Sequence, residues 1–386
     1  MERILIVGGG IVGSCIAYHL ALAGAAAAVT VVEPDPTYEF AATPRAVGAI
    51  RLQHSLRENV EMALYGAQVY SDFAEHVRGG TVEFDPQFQR CGYLYQVQGA
   101  EGIAALEVDA RMQREVGVEV QVLGADELRL RYPSFRFAGV DCGALSVADG
   151  QIDPNAALMG YRKAAQGLGV TYVKDRVVGL VLSGRLVSTA RLASGDSLPV
   201  DTVVNAANCW APEICAMVGV PVPIEPMRRQ QFHYVTRDSI EPIPAMRRMG
   251  APGVRRHQGG YLSGYTNREQ PKGFSWDVEH AKFEDVLWPQ LADQCAAFEA
   301  IKLKGAWAGH YDMNLLDGEP IIDRCPAVAN FILAAGFSGH GLMHAPAVGR
   351  AVKEIILEGG FRSIDLARLS WRRVLDGRPL TRSTPV

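Results

Sequence analysis

The sequence predicts an α/β fold built on a parallel sheet, and three segments predict it. The apolar run Arg3–Val7 passes into Gly8-x-Gly10-x-x-Gly13, a helical stretch over 11–24 and a second apolar run, Val29–Val32. Strand, tight turn, helix and strand within about 30 residues form the repeating unit of such a sheet. Val200–Asn205 reads as a strand of the fully buried type and opens into the small residues Ala206 and Ala207. Phe331–Ala335 is a further apolar strand, followed by a glycine-rich loop and a helix over Ala345–Leu357. Glycine accounts for 40 of 386 residues, above the usual share of about 7%; several fall where these strands end, and many others read as ordinary turns.

The intervening elements follow in order. Ser55 and Glu58 have capping-box spacing and predict a helix to about His76. Gly92–Val97 reads as strand, 101–116 as helix and Val118–Leu123 as strand. Asp149-Gly150 marks a turn. Asp153 caps a helix that starts on Pro154 and runs to Gln166. Strands are expected at Val170–Lys174, Val177–Leu182 and Arg185–Leu192, with a turn at Ser194-Gly195-Asp196. Residues 216–304 are mixed, with strands at Gln231–Val235 and Gly260–Tyr265 and a helix over 281–300. The Arg-rich tail after Ser370 reads as a loose end.

Composition narrows the function. Hydrophobic residues make up 48% and charged residues 21%, the balance of a globular chain. The net charge of −4 and the lack of a basic stripe disfavour nucleic acid as a partner. The sequence shows no signal-length apolar stretch, no Arg-rich presequence and no uninterrupted apolar run of about 18 residues. A cytoplasmic protein without a transmembrane helix is therefore expected. Seven cysteines, an odd count without a C-x-x-C pair, point to neither a disulfide framework nor zinc. No H-E-x-x-H spacing occurs either, so no metal is expected.

The glycine loop carries the first chemical signal. Gly8 permits a tight turn, Gly10 lets the backbone approach a pyrophosphate, and Gly13 lets helix and strand pack. The free N–H groups at Ile11 and Val12, with the helix dipole, favour a diphosphate. Glu33 lies about 20 residues further on, where an acid accepts hydrogen bonds from an adenosine ribose and repels a 2′-phosphate. The domain is thus Rossmann-type, and NADP is disfavoured. Two other segments favour FAD over NAD. One is the small-residue strand end Ala206–Ala211 with Trp210. The other is the Gly336-Phe337-Ser338-Gly339-His340-Gly341 loop, whose following helix offers partial positive charge to an anionic ring edge.

On these residues the chain resembles the D-amino-acid oxidase superfamily of flavoproteins. Four segments carry the resemblance: Ile6–Ser14, Asn205–Ala211, Asp317–Asp323, and Ala335–Gly341 continuing into Ala345–Arg350. Gly48–Ser55 and Trp307–Asp312 resemble one branch of it, the FAD-dependent oxidoreductase-domain proteins. The resemblance implies an FAD-binding domain over 1–84, 147–217 and 319–386. It also implies an interleaved smaller α+β substrate domain, built on an antiparallel sheet, over 85–146 and 218–318. It implies FAD contacts at Glu33, Thr43, Ala49, Arg51, Val177, Ala206, Trp210, Gly339, His340, Gly341, Leu342 and Met343.

Departures from the family pattern shape the expected chemistry. His310 stands where sarcosine oxidase attaches its flavin through cysteine, so non-covalent FAD is expected. Leu262 stands where those oxidases carry the lysine that promotes reaction with oxygen, so a quinone or flavoprotein acceptor competes with O2. Tyr311 and Asp312 replace a carboxylate-binding arginine of glycine oxidase. Arg51 and His54 become the leading substrate cations, with Arg255 and Arg256 behind them. Asn208 replaces a glycine. His340 is expected beside the flavin, with Tyr265 and His310 lining the substrate side. The expected reaction is hydride transfer from the carbon next to nitrogen of an amine or amino acid to flavin N5, leaving an imine that hydrolyses. Alternatives are 2-hydroxy-acid dehydrogenation and a low-turnover, flavin-stabilised assembly protein. The oligomeric state is not legible.

Overall fold

Successive side chains of the strand Ile4–Val7 point to opposite faces, and both faces are covered. Ile4 and Ile6 enter one apolar layer with the helices Ile11–Leu20, Arg57–Ser71, Pro154–Gly167 and Gly341–Leu357. Leu5 and Val7 enter another with Val187, Ala190, Leu192 and Trp371. A strand buried on both sides needs an unbroken apolar run, which is what Ile4–Val7 supplies. A computed structural model describes residues 2–77, 84–265 and 273–383. It places this strand inside a six-stranded sheet. The order is Ile321–Arg324, Phe331–Ala335, Thr202–Asn205, Ile4–Val7, Val29–Glu33, Thr171–Lys174. All neighbours are parallel except the edge strand Ile321–Arg324.

A four-stranded sheet pairs Ile224–Thr236 antiparallel with both Gly260–Tyr265 and Ile301–Asn314. Another is formed by Tyr93–Val97, Val120–Gly124, Cys142–Ser146 and Ala245–Arg248. Phe232, Tyr234, Phe283, Phe298 and Leu94 belong to one apolar cluster shared by these two sheets.

Several expected boundaries move, each for a local reason. The first helix ends at Leu20 and widens into a π turn over Ala21–Ala25, within which Gly24 leaves the helical region at φ +86°. The stretch Ile11–Ala28 is apolar and long enough to cross a membrane by length and composition, although Ser14, Tyr18 and His19 interrupt it. Here the helix lies in the core, packed on Gly341–Leu357. A Cβ on Gly349 would meet Cys15 O at 2.7 Å. Ser55 does not cap the next helix, which starts at Arg57. Its hydroxyl donates instead to Asp109 Oδ2 at 2.8 Å. Asp153 does cap, accepting from the N–H groups of Asn155 and Ala156.

The helix expected from Ala345 begins at Gly341 and carries Pro346 inside it. Proline lacks the N–H that would bond the carbonyl four residues back. The Tyr70 hydroxyl supplies that bond, donating to Leu342 O at 2.8 Å. The predicted helix over 281–300 is broken into His280–Lys282, a π turn, Trp288–Gln294 and a short 3-10 turn. The 14-residue strand Ile301–Asn314 was not expected. Its Gly305 and Gly309 have low strand preference, but a ladder along the whole length of Ile224–Thr236 holds it. Over its described residues the tail is not loose. Trp371 is fully buried, and Arg373 is paired with the buried Asp317 at 2.9 Å.

Candidate active site

One cavity of about 840 Å³ runs between these layers. At one end lies the glycine loop. A Cβ on Gly13 would stand 1.9 Å from Gly8 O, and one on Gly8, at φ +98°, 2.7 Å from Ala206 O. Only glycine allows strand, turn and helix to close this tightly. Gly10, Ile11 and Val12 face the cavity; Gly10 brings no side chain to cap this helix start, and the Ile11 N–H donates to Thr43 Oγ1 at 3.4 Å. Gly13 does not reach the cavity; its role is packing. Glu33 accepts from Gly9 N–H at 2.8 Å and Asp35 N–H at 3.0 Å. Burial raises its pKa, while those two bonds pull the other way. Thr43, Ala49, Val177, Ala206 and Trp210 line the same stretch. Asn208 adopts φ +49°, which explains a glycine as the ordinary occupant. Asparagine tolerates that region better than most side chains.

In the middle the loop Gly336–His340 turns into a second helix start, one without a side-chain cap. Gly339, His340, Gly341, Leu342 and Met343 line the cavity. Asp312 Oδ2 holds this loop by accepting from Gly336 and Phe337 N–H groups at 2.7 and 3.0 Å, and burial raises its pKa to about 6. Gly336 is not in the wall. The space a Cβ would take at Gly339 is filled by the Tyr311 ring at 2.5 Å. His310 also lines the cavity. Its Nε2 accepts from Ser275 N–H at 3.1 Å, and Phe274 and Trp276 flank its ring. Burial, then Arg228 and Arg45, lowers its pKa to about 4. No cysteine among the described residues lines the cavity.

Arg51, also in the cavity wall, is held by three partners. It donates through Nη1 to Gln53 O at 2.7 Å and to the Tyr95 hydroxyl, and through Nη2 to His340 Nε2 at 2.7 Å. His340 is therefore neutral, with its proton on Nδ1. Burial, then Arg51, holds its pKa well below the usual histidine range. Arg247 was not among the residues expected from the sequence. The parallel ladder pairs it with Tyr95 and pairs Ala245 with Tyr93, and Arg247 projects into the cavity. Among the described residues neither Arg51 nor Arg247 has an ion-pairing carboxylate. Arg255 also lines the cavity, whereas Arg256 does not.

Two expectations are corrected. His54 is not a substrate cation. It is buried behind Arg51, donates through Nε2 to Arg51 O at 3.0 Å, and packs against His340 and His344 at 5.1 and 5.2 Å. Burial, then Arg51, keeps it neutral. Tyr265 is not on the substrate side. Strand alternation turns Leu262 and Gly264 to the cavity and Tyr261 and Tyr265 to the apolar cluster around Phe232. Leu262 thus does face the cavity and brings no charge there.

These features fit FAD: two helix starts that face the cavity, a backbone cradle that a Cβ would fill, and an acid at the adenosine end. A family model described as FAD dependent oxidoreductase matches residues 3–355. The chain is 33% identical to FAD-dependent oxidoreductase domain-containing protein 1 of Xenopus laevis, over 98% of this chain and 83% of that protein. It is 27% identical to 4-methylaminobutanoate oxidase (formaldehyde-forming) of Paenarthrobacter nicotinovorans, over 95% of this chain and 46% of that protein. The crystal structure of L-proline dehydrogenase from P. horikoshii superposes with a TM-score of 0.87 at 25% identity, over 98% of this chain and 99% of that one. The chain belongs to the DAO family of FAD-dependent oxidoreductases.

Proposed function

We propose that the protein oxidises the C–N bond of an amino acid or N-alkylated amino acid. The observation that carries this reading is the pair Arg51 and Arg247, cations in the cavity wall without a carboxylate partner among the described residues. Guanidinium groups there are complementary to a substrate carboxylate, which would take charge-assisted hydrogen bonds from them. The relatives named for L-proline and 4-methylaminobutanoate support the reading, since both names denote N-substituted amino acids.

The glycine loop, Glu33, Thr43, Ala49, Val177, Ala206, Trp210 and Gly339–Met343 would hold FAD. When bound, FAD supplies the two-electron acceptor. Arg247 would grip the carboxylate, with Arg51 beside it, and so fix the carbon next to nitrogen. Met246, Val254 and Leu262 in the wall would exclude water. His310 and His340, both held neutral, add no charge beside the amine, whose extra proton is given up to water before the hydride leaves. The substrate carbon gives up a hydride. The resulting imine takes up water and releases an amine together with an aldehyde or keto acid. Leu262 supplies no cation for oxygen reduction, which favours a quinone or flavoprotein as the final acceptor. The absence of cysteine from the described wall favours non-covalent FAD, which acid precipitation would release as a yellow supernatant.

The test is anaerobic mixing of the FAD-loaded protein with a panel of primary, secondary and tertiary amino acids. Loss of the visible flavin absorbance is expected with at least one of them, followed by readmission of oxygen to identify the acceptor class. A flavin that dithionite reduces but no amino acid bleaches would reject the proposal.

A further inference from the structure

The C-terminal segment reaches the cavity, and nothing in the proposed reaction uses it. Leu380 N–H donates to Asp317 Oδ2 at 3.1 Å, and Arg373 Nη2 donates to the carbonyls of Glu319 and Pro320, each at 2.9 Å. These bonds bring Arg382 into the cavity wall beside Gly318, His340 and Gly341. Arg382 Nε donates to Glu319 Oε1 at 2.7 Å. The other Glu319 oxygen accepts from Asn59 Nδ2 at 2.7 Å, so this buried carboxylate is fully engaged. The opposite edge of the guanidinium has no such partner: Arg382 Nη2 is buried and unbonded among the described residues. Gly318 makes room for it, since a Cβ there, at φ +73°, would stand 2.9 Å from Nη2. The uncapped start of the 17-residue helix Gly341–Leu357 lies in the same wall. A helix N-terminus and a fixed guanidinium edge thus line the same cavity, a donor set suited to an anion.

We propose that Arg382 is a cofactor-tuning residue: held by Glu319, it adds a positive charge beside the helix start and favours the anionic, reduced state of the bound flavin. This rests on the FAD assignment and not on the choice of substrate, so its failure and the failure of the amine reading are separable. A cation beside a group that gains negative charge stabilises the charged state more than the neutral one.

The experiment is potentiometric titration of the FAD-loaded full chain with reference dyes, with FAD content and thermal midpoint recorded in parallel. Arg382→Gln is expected to weaken binding of reduced FAD about tenfold more than that of oxidised FAD. That lowers the midpoint potential by about 30 mV for a two-electron couple. Arg382→Lys should retain most of the potential, and Glu319→Gln should raise it, because the cation then loses its counter-ion. The paired variant Glu319→Gln/Arg382→Gln covers the case in which a lone buried carboxylate unfolds the chain; its potential should also fall. Equal potentials in wild type and Arg382→Gln would overturn the proposal. So would a loss of FAD affinity that is the same in both oxidation states, or a fall in potential shared by Arg382→Lys.

Discussion

Replacing Gly13 by alanine tests the glycine loop where its geometry is tightest. The new Cβ would lie 1.9 Å from Gly8 O, and ordinary contact begins at 3.4 Å, so something must move by about 1.5 Å. The obstacle is backbone on the neighbouring strand end rather than a flexible side chain. Overpacking of this kind costs about 1–3 kcal/mol. If the strain falls on the loop that receives the diphosphate, the cost appears in FAD affinity, as about a 5- to 140-fold loss. Gly359→Ala is the matched control. It has φ +78° and nothing within 4 Å of its added Cβ, so it carries backbone strain alone and lies beyond the end of the helix Gly341–Leu357. The assay is release of FAD on dilution, followed by the fluorescence of the free cofactor, with a thermal scan of each variant. Gly13→Ala should release FAD at concentrations where wild type and Gly359→Ala retain it. Equal retention by all three would refute the reasoning that this turn holds the diphosphate.

Other consequences are as direct. Arg247→Gln should raise KM for a carboxylated substrate about 10- to 140-fold, the equivalent of about 1.5–3 kcal/mol for a charge-assisted bond. Its effect on kcat should be small, and steady-state kinetics would separate the two. Arg373→Ala leaves the buried Asp317 carboxylate without its partner and should destabilise the chain by about 3–5 kcal/mol. Arg373→Met with Asp317→Leu should recover part of that loss in chemical denaturation. Burial lowers the pKa of His19 to about 4 and of His344 to about 3. Their folded values lie below the unfolded value of about 6.5. The associated stability is therefore present above pH about 6.5 and is lost as pH falls through the folded values. Each contributes a slope of about 1.4 kcal/mol per pH unit in that window. Denaturation curves from pH 7.5 to 4.5 should show it, and His344→Gln should flatten the slope whatever it does to absolute stability.

The parts of the site that were legible are those dictated by neighbours in sequence. Gly8, Gly10 and Gly13 are required by the turn that contains them, and Asp153 caps the helix that it precedes. What was not legible depends on partners far along the chain. Arg247 reaches the cavity because its strand pairs in parallel with Tyr93–Val97, more than a hundred residues earlier, and that register decides which of two adjacent arginines faces inward. Tyr265 and Leu262 sit on opposite sides of one strand, so an uncertain register moves a residue to the wrong face. His54 lies next to the cavity wall but behind Arg51, a distinction that no motif carries. The helix start at Gly341 was hidden because Tyr70, on another helix, satisfies the carbonyl that Pro346 leaves free. The tail looked loose because its anchors, Asp317 and Glu319, belong to a distant turn.

In the proposed function the cavity grips a carboxylate while the carbon next to nitrogen is oxidised. That function is tested most directly by anaerobic reduction of the FAD-loaded protein with three matched compounds: an N-alkylated amino acid, the amine that lacks its carboxylate, and the 2-hydroxy acid that lacks its nitrogen. Fast bleaching by the amino acid, bleaching by the amine only at far higher concentration, and none by the hydroxy acid is the predicted result. Bleaching by the hydroxy acid alone, or equal bleaching by the amino acid and its decarboxylated amine, would contradict it.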